Sequence, residues 1–223
     1  FTDLLSAGPY DWTPFIHNDG TSNNTFTANF GQFDFAATIP TGYSTLMTAN
    51  YPEPAIPDGS VYFQATLYTG DGTAIGSGGQ AVNQSRNSTF QPDWVWVKNR
   101  DTTDGHIIVD SVRGVTNYLA SDSTAVEVDN NESIVTFDSD GFTVGNMVNV
   151  NTDGERFVAW QWLADNTSGS TNEVGSITST VATGVRAGFS IVKYTGVSGT
   201  QTVGHGLGAV PKMMWAKRLN SAN

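Results

Sequence analysis

Reactive or ligating side chains are few in this chain, and their spacing decides little chemistry. Asp138-Ser139-Asp140-Gly141 sets two carboxylates at alternate positions, as the opening of a calcium loop does. A full site needs further oxygen ligands and an acid several positions on, whereas here the strand-like Phe142-Thr143-Val144 follows. The expectation is therefore a β-hairpin turn between Phe137 and Phe142. His17, His106 and His205 stand far apart, without a second histidine or a cysteine at ligand spacing, so structural roles are expected of all three. Asp101, Asp104, Asp110, Glu127 and Asp129 fall in polar or turn-like stretches and mark no glycosidase pair. No Gly-x-Ser-x-Gly elbow marks a nucleophile. Arg113, in Asp110-Ser111-Val112-Arg113-Gly114, is expected to pair with Asp110 and fix the loop that follows; contact with a partner is the other reading. No catalytic residue, metal ligand or cofactor is assigned, binding residues remain unassigned, and the expectation is a protein that is not an enzyme.

The tryptophans carry the stronger pattern. Trp94 and Trp96 lie two apart, as do Trp160 and Trp162, so each pair shares one face of a strand. A flat apolar ring with one donor suits a core, a subunit interface or a sugar-stacking platform. Core or inter-domain packing is expected, with the other two readings left open.

The elements that must hold these residues are β-strands. Val61 to Tyr68 alternates, with Val61, Phe63, Ala65 and Leu67 on one face and Tyr62, Gln64, Thr66 and Tyr68 on the other. Further strands are predicted at Trp94–Lys98, His106–Asp110, Ile134–Phe137, Phe142–Val144 and Phe157–Leu163. Short strands joined by Asp, Gly and Asn turns argue for a β-sandwich. Upstream, Tyr10 to Ile16 is aromatic and extended, Asn18 to Asn24 has turn chemistry, and Thr25 to Gly31 alternates. From Pro40 to Gly59 prolines and glycines are dense and exclude a central strand or helix interior. This segment reads as a stiff linker, with Tyr43, Leu46 and Tyr51 pinned to a neighbour. Gly70 to Phe90 reads as a long loop, and Asn166 to Asn172 as a second one.

A weaker copy of the central block returns near the end. Phe189, Tyr194, Thr195 and Gly196 repeat Phe63, Tyr68, Thr69 and Gly70, while Pro211, Trp215 and Lys217 repeat Pro92, Trp96 and Lys98 at a slightly shorter offset. Tandem repeats of this kind usually build elongated arrays. The predicted organisation is 1–39, the end of one β module; 40–59, a Pro/Gly-rich linker; 60–165, a first β-sandwich repeat; 166–188, a connector; and 189–223, the start of a second repeat. Phe1 as first residue and the incomplete second copy suggest a fragment of something longer.

Bulk composition narrows the function classes. The 223 residues are 38% hydrophobic and 11% aromatic, enough for a packed core, but only 14% charged against about a quarter in typical domains. Solubility must rest largely on Ser, Thr, Asn and Gly. Ten basic residues against 21 acidic ones give a formal charge of -11, which argues against binding nucleic acid or anionic lipid. Cysteine is absent, excluding disulfides and thiolate chemistry. No apolar run approaches the length of about 18 residues that a membrane span needs.

Several blocks resemble known modules. Ala28-Asn29-Phe30-Gly31-Gln32, Pro40-Thr41-Gly42-Tyr43, Leu46 and Ala49-Asn50-Tyr51-Pro52 resemble the end of a SPRY-like, concanavalin-type sandwich in marine bacteriophage tail-fibre and related virion proteins. Tyr68-Thr69-Gly70, Pro92 to Arg100, Asp110 to Gly114, Phe137 to Phe142, Val158 to Trp162 and Val203 to Gly208 resemble the β domain that follows it there, often in tandem. The resemblance implies tandem antiparallel β-sandwich modules of jelly-roll or concanavalin-like type joined by a Pro-rich linker. It implies a virion location, in a tail or fibre made in the bacterial host cytoplasm. The implied function is structural, by self-assembly and spacing, with a contribution to host attachment. The implied partners are the chain itself as a homo-oligomer (trimers are common in such fibres), other virion tail proteins and a host cell-surface glycan. No cofactor, nucleic acid or membrane insertion is implied. The alternative is a lectin-like glycan- or protein-binding module on a host-recognition fibre, using the turn Asn18–Asn24 and the loop Gly70–Phe90.

Overall fold

The structure, a computed structural model, describes residues 34–35, 38–42 and 54–220. Tyr10–Ile16, the turn Asn18–Asn24, the strand Thr25–Gly31, His17, Tyr43, Leu46 and Tyr51 lie outside the described residues. The chain divides into two compact units between Glu53 and Pro54, within the proline-dense stretch. In the first unit the described residues include a turn at 41–42, with Gly42 at φ 90°.

The second unit is all-β, with antiparallel pairing throughout its described sheets. A first sheet has the order β1-β9-β3-β4 and comprises β1 (Phe63–Thr69), β3 (Trp94–Asn99), β4 (Ile107–Asp110) and β9 (Arg156–Trp162). A second runs β2-β8-β7, from β2 (Gln80–Asn83), β7 (Ile134–Asp138) and β8 (Gly141–Val144). β5 (Asn117–Tyr118) and β6 (Val128–Asp129) pair as a small ribbon. The third sheet joins β10 (Ser170–Asn172), β11 (Ser179–Gly184) and β12 (Phe189–Tyr194) in chain order. The one helix among the described residues longer than a 3-10 turn is α1 (Val148–Asn151), a single turn.

Alternation along β3 and β9 builds the core. Val95 and Val97 point inward from β3, Phe157 and Ala159 from β9. They meet Val82, Ile134, Phe142 and Val144 of the second sheet, with Val150 of α1, in one continuous apolar cluster. Two sheets thus enclose a single core, and the valine face needs no outside partner to bury it. Tyr68 closes one end, stacked on Phe157 at 5.1 Å, with its hydroxyl donating to the Val150 carbonyl at 2.7 Å.

β1 is turned the less obvious way. Its polar residues face in, with Gln64 and Thr66 buried, while Phe63 is 39% and Leu67 66% exposed. The register explains this: Phe63 lies opposite Trp162 and Gln64 opposite Gln161, so the aromatic side of β1 continues the tryptophan face. The buried amides are satisfied. Ser88 Oγ donates to Gln64 Oε1 at 2.8 Å, Gln161 Nε2 to Thr66 Oγ1 at 2.9 Å, and Gln84 Nε2 to Gln161 Oε1 at 3.0 Å.

Two stretches expected as loops contain strands. Gly70 to Phe90 holds a 3-10 turn at Ile75–Ser77 and then β2, whose buried anchor is Val82. Opposite it Gly141, at φ 151°, lets the strands approach, since a Cβ there would sit 2.2 Å from the Val82 carbonyl oxygen. The expected loop Asn166–Asn172 likewise ends in β10, which pairs with β11 further along the connector 166–188. These Ser-, Thr- and Asn-rich segments lack apolar periodicity, and neighbouring strands supply the pairing that makes them extended.

Candidate functional site

The densest cluster of recognition-type side chains is the outer face of the first sheet. Antiparallel register places Trp94 opposite Trp162 and Trp96 opposite Trp160. Ring centroids lie 4.6 Å apart for Trp94 and Trp162, 5.2 Å for Trp96 and Trp160, and 4.7 Å for Phe63 and Trp162. Trp96 Nε1 donates to His106 Nδ1 at 2.8 Å, which satisfies the indole and gives His106 a structural task.

The block that follows these two sheets in the chain covers this ladder. Phe189, at the start of β12, lies 5.8 Å from Trp94 and 6.0 Å from Trp162. Trp215 stands nearly edge-on at 5.1 Å from Trp96 and 5.8 Å from Trp94. The tryptophans of β3 and β9 are half-buried between the two blocks, as the packing expectation has it. The surface remains open at Leu67, and Trp215 itself is 55% exposed.

Of the charged candidates, Arg113 is the most deeply held. Its Nε meets Asp110 Oδ2 at 2.5 Å and its Nη1 meets Glu127 Oε2 at 2.8 Å. Nη1 and Nη2 also donate to the carbonyls of Asn117 (2.9 Å) and Ile108 (3.2 Å). The expected pair with Asp110 is present, and Glu127 joins it, so two of the scattered carboxylates converge on one guanidinium. Asp101 instead grips Arg156, largely in solvent, where that guanidinium holds the carboxyl below its ordinary pKa. Asp104 accepts from Thr102 Oγ1 at 2.6 Å, and Asp129 lies on β6. Asp138 and Gly141 flank the two-residue turn of the β7–β8 hairpin, and Asp138 Oδ2 accepts from Thr143 Oγ1 at 2.8 Å. His205 works locally: its Nδ1 accepts from the Leu207 amide at 3.2 Å, and its carbonyl accepts from Ser190 Oγ at 2.6 Å. Among the described residues no three of His, Cys, Asp and Glu stand together to hold a metal, and no helix is long and apolar enough to cross a membrane.

Asp93 is the functional-looking residue that sequence reasoning passed over. It is fully buried, with Oδ2 accepting from the amides of Ala164 and Asn166, both at 2.8 Å, and Oδ1 from Ser111 Oγ at 2.9 Å. Burial pushes its pKa up against the pull of those donors. Its place between Pro92 and Trp94, at a strand start, was the available signal. A shallow depression of ≈ 380 Å³ opens nearby, lined by Gln91, Ser111, Thr136 and Asn166 together with the apolar Val115 and Phe137.

Residues 58–223 match the family described as a domain of unknown function, DUF7483. The chain belongs to that family. No curated protein and no solved structure matches it. The DUF7483 match begins just past the boundary between the two compact units and takes in both the two-sheet block and the block that covers its tryptophans. Within this DUF7483 domain the aromatic face therefore joins parts of one family unit, by stacking and apolar burial.

Proposed function

We propose that the chain is a non-catalytic structural component of a phage tail fibre or related virion appendage, acting by self-assembly and spacing and contributing to host attachment. In this reading the modules are tandem jelly-roll or concanavalin-like sandwiches after a Pro-rich linker, and copies associate as a homo-oligomer alongside other tail proteins. The observation that carries it is the burial of one block's tryptophan face by Phe189 and Trp215 of the next. Blocks that bury a large aromatic surface against one another suit a spacer, because apolar burial of that kind fixes their geometry. The test is native mass in solution, before and after boiling in detergent. A discrete detergent-resistant oligomer or extended polymer is expected. A compact monomer at all concentrations would remove the assembly reading.

A second reading, a lectin-like module for a host cell-surface glycan, is favoured by the depression in which Ser111, Thr136 and Asn166 stand beside apolar Val115 and Phe137. Hydroxyl and amide groups of this kind hydrogen-bond sugar hydroxyls. Saturable binding on a glycan array, lost in Thr136→Trp, would support it.

A further inference from the structure

We infer that the depression between β7, the turn after β4 and the start of the connector binds a neutral saccharide and rejects acidic ones. The inference rests on the lectin-like reading and names its ligand.

Charge sets the class. No residue lining the depression is charged, although the chain as a whole stands at -11. An acidic sugar needs a guanidinium or ammonium group to take its carboxylate out of water. Arg113 precedes the lining Gly114 in the chain, but its guanidinium is already spent on Asp110, Glu127 and two carbonyls. The charge that does touch the lining is negative. Asp93 accepts from Ser111 Oγ at 2.9 Å and from the Asn166 amide at 2.8 Å, and Asp165 adds to its field. An anion entering here would meet repulsion and no partner.

The depression offers unspent neutral hydrogen-bonding groups instead. Among the described residues the side chains of Gln91, Thr136, Asn166 and Ser168 have no hydrogen-bond partner. Carboxamides and hydroxyls both donate and accept, which matches adjacent sugar hydroxyls that do the same. Val115 and Phe137, packed against the core, supply apolar surface for the C–H face of a sugar ring. The volume of ≈ 380 Å³ lies at the low end of small-ligand sites, about 300–1,000 Å³, and suits a short saccharide.

Two departures from regular backbone bring these groups together. Strict alternation from buried Ile134 would turn Thr136 into the core. The β7–β8 register instead shifts between Ile134 and Thr136, and this bulge at Val135 sends Thr136 out to the surface. Asn166 has φ 59°, one of two non-glycine residues in the left-handed region among the described residues. Its amide is pinned by buried Asp93 while its side chain is left over. Walls fixed in this way need little ordering when a ligand arrives.

The test is an amide chemical-shift titration of the isotope-labelled 223-residue chain. The probes are methyl glycosides of glucose, galactose, mannose and N-acetylglucosamine, with glucuronic and N-acetylneuraminic acids as acidic counterparts. At least one neutral glycoside should give saturable shifts centred on Ser111, 135–137 and 166–168, and neither acid should. Asn166→Gly keeps the left-handed backbone and removes the carboxamide, so it should weaken binding about fivefold. Thr136→Trp, at an exposed strand position, should abolish it. Saturable shifts centred elsewhere, acids binding as tightly as neutral sugars, or unchanged binding in both variants would overturn the inference and leave a glycan-binding module standing. No shift with any glycoside would also overturn it, and the lectin-like reading falls with it only if a glycan array is empty too.

Discussion

At the scale of single residues, buried charge is the decisive feature. Arg113 sits between Asp110 and Glu127 with its guanidinium almost wholly out of water. Removing it strands two carboxylates and two carbonyls, so Arg113→Ala should cost about 3 kcal/mol or more in urea unfolding. Asp93 provides the contrasting case. Its folded pKa lies above the ordinary 3.8, so its protonated form is the one that folding favours. Below the unfolded value both states hold the proton and no difference arises. As pH rises from about 4 through the raised folded value, the native state keeps an ion that burial disfavours, and stability falls. Asp93→Asn can still accept from Ala164 and Asn166 and can donate to Ser111. A stability–pH profile by chemical denaturation should therefore lose that downward step in the variant.

At the scale of elements, the first sheet has two working faces. The inner face is sealed by β2, β7 and β8, and the outer is covered in part by Phe189 and Trp215. Trp96 joins the outer layer at four points: Trp94, Trp160, Trp215 and His106. Trp96→Ala should cost about 2 kcal/mol, below the 3–5 of a fully buried aromatic because the site is half-buried. Amide exchange near Leu219 should quicken at the same time, because the segment around Trp215 loses one of its rests. Leu67→Ala on the same face, beyond the cover, should change stability by no more than about 0.5 kcal/mol. Equal effects of the two substitutions would mean that the covering block contributes nothing to the first sheet.

At the scale of the whole molecule, the contact boundary at Glu53 and Pro54 lies close to the start of the DUF7483 match at residue 58. A chain beginning at Pro54 should therefore show the thermal transition of this unit unchanged when compared with the 223-residue chain by calorimetry. A large drop would place part of the domain's stability upstream. The formal charge of -11 acts at the same scale. It keeps copies apart at low ionic strength, so any self-association through apolar faces should strengthen with added salt.

The sequence alone determined the class of the fold and the strongest strands. Alternation at 94–99, 134–138 and 156–162, with turn residues between, is a local property, because side chains two apart must share a face. It also determined which residues share that face, hence the two tryptophan pairs, the Arg113–Asp110 pair three residues apart and the hairpin at 138–141. What it could not decide was which face of a strand points inward. β1 shows the limit: its apolar residues lie outside because pairing with β9 aligns them with tryptophans, and its glutamine and threonine lie inside because distant Gln84, Ser88 and Gln161 complete their hydrogen bonds. Strand β2 likewise exists through β8, some distance along the chain, whereas β10 and β11 pair with their neighbours in sequence. Only tertiary structure brought Glu127 to Arg113, the amides of Ala164 and Asn166 to Asp93, and Phe189 with Trp215 onto the tryptophan ladder, because each of these contacts joins residues that no local period connects.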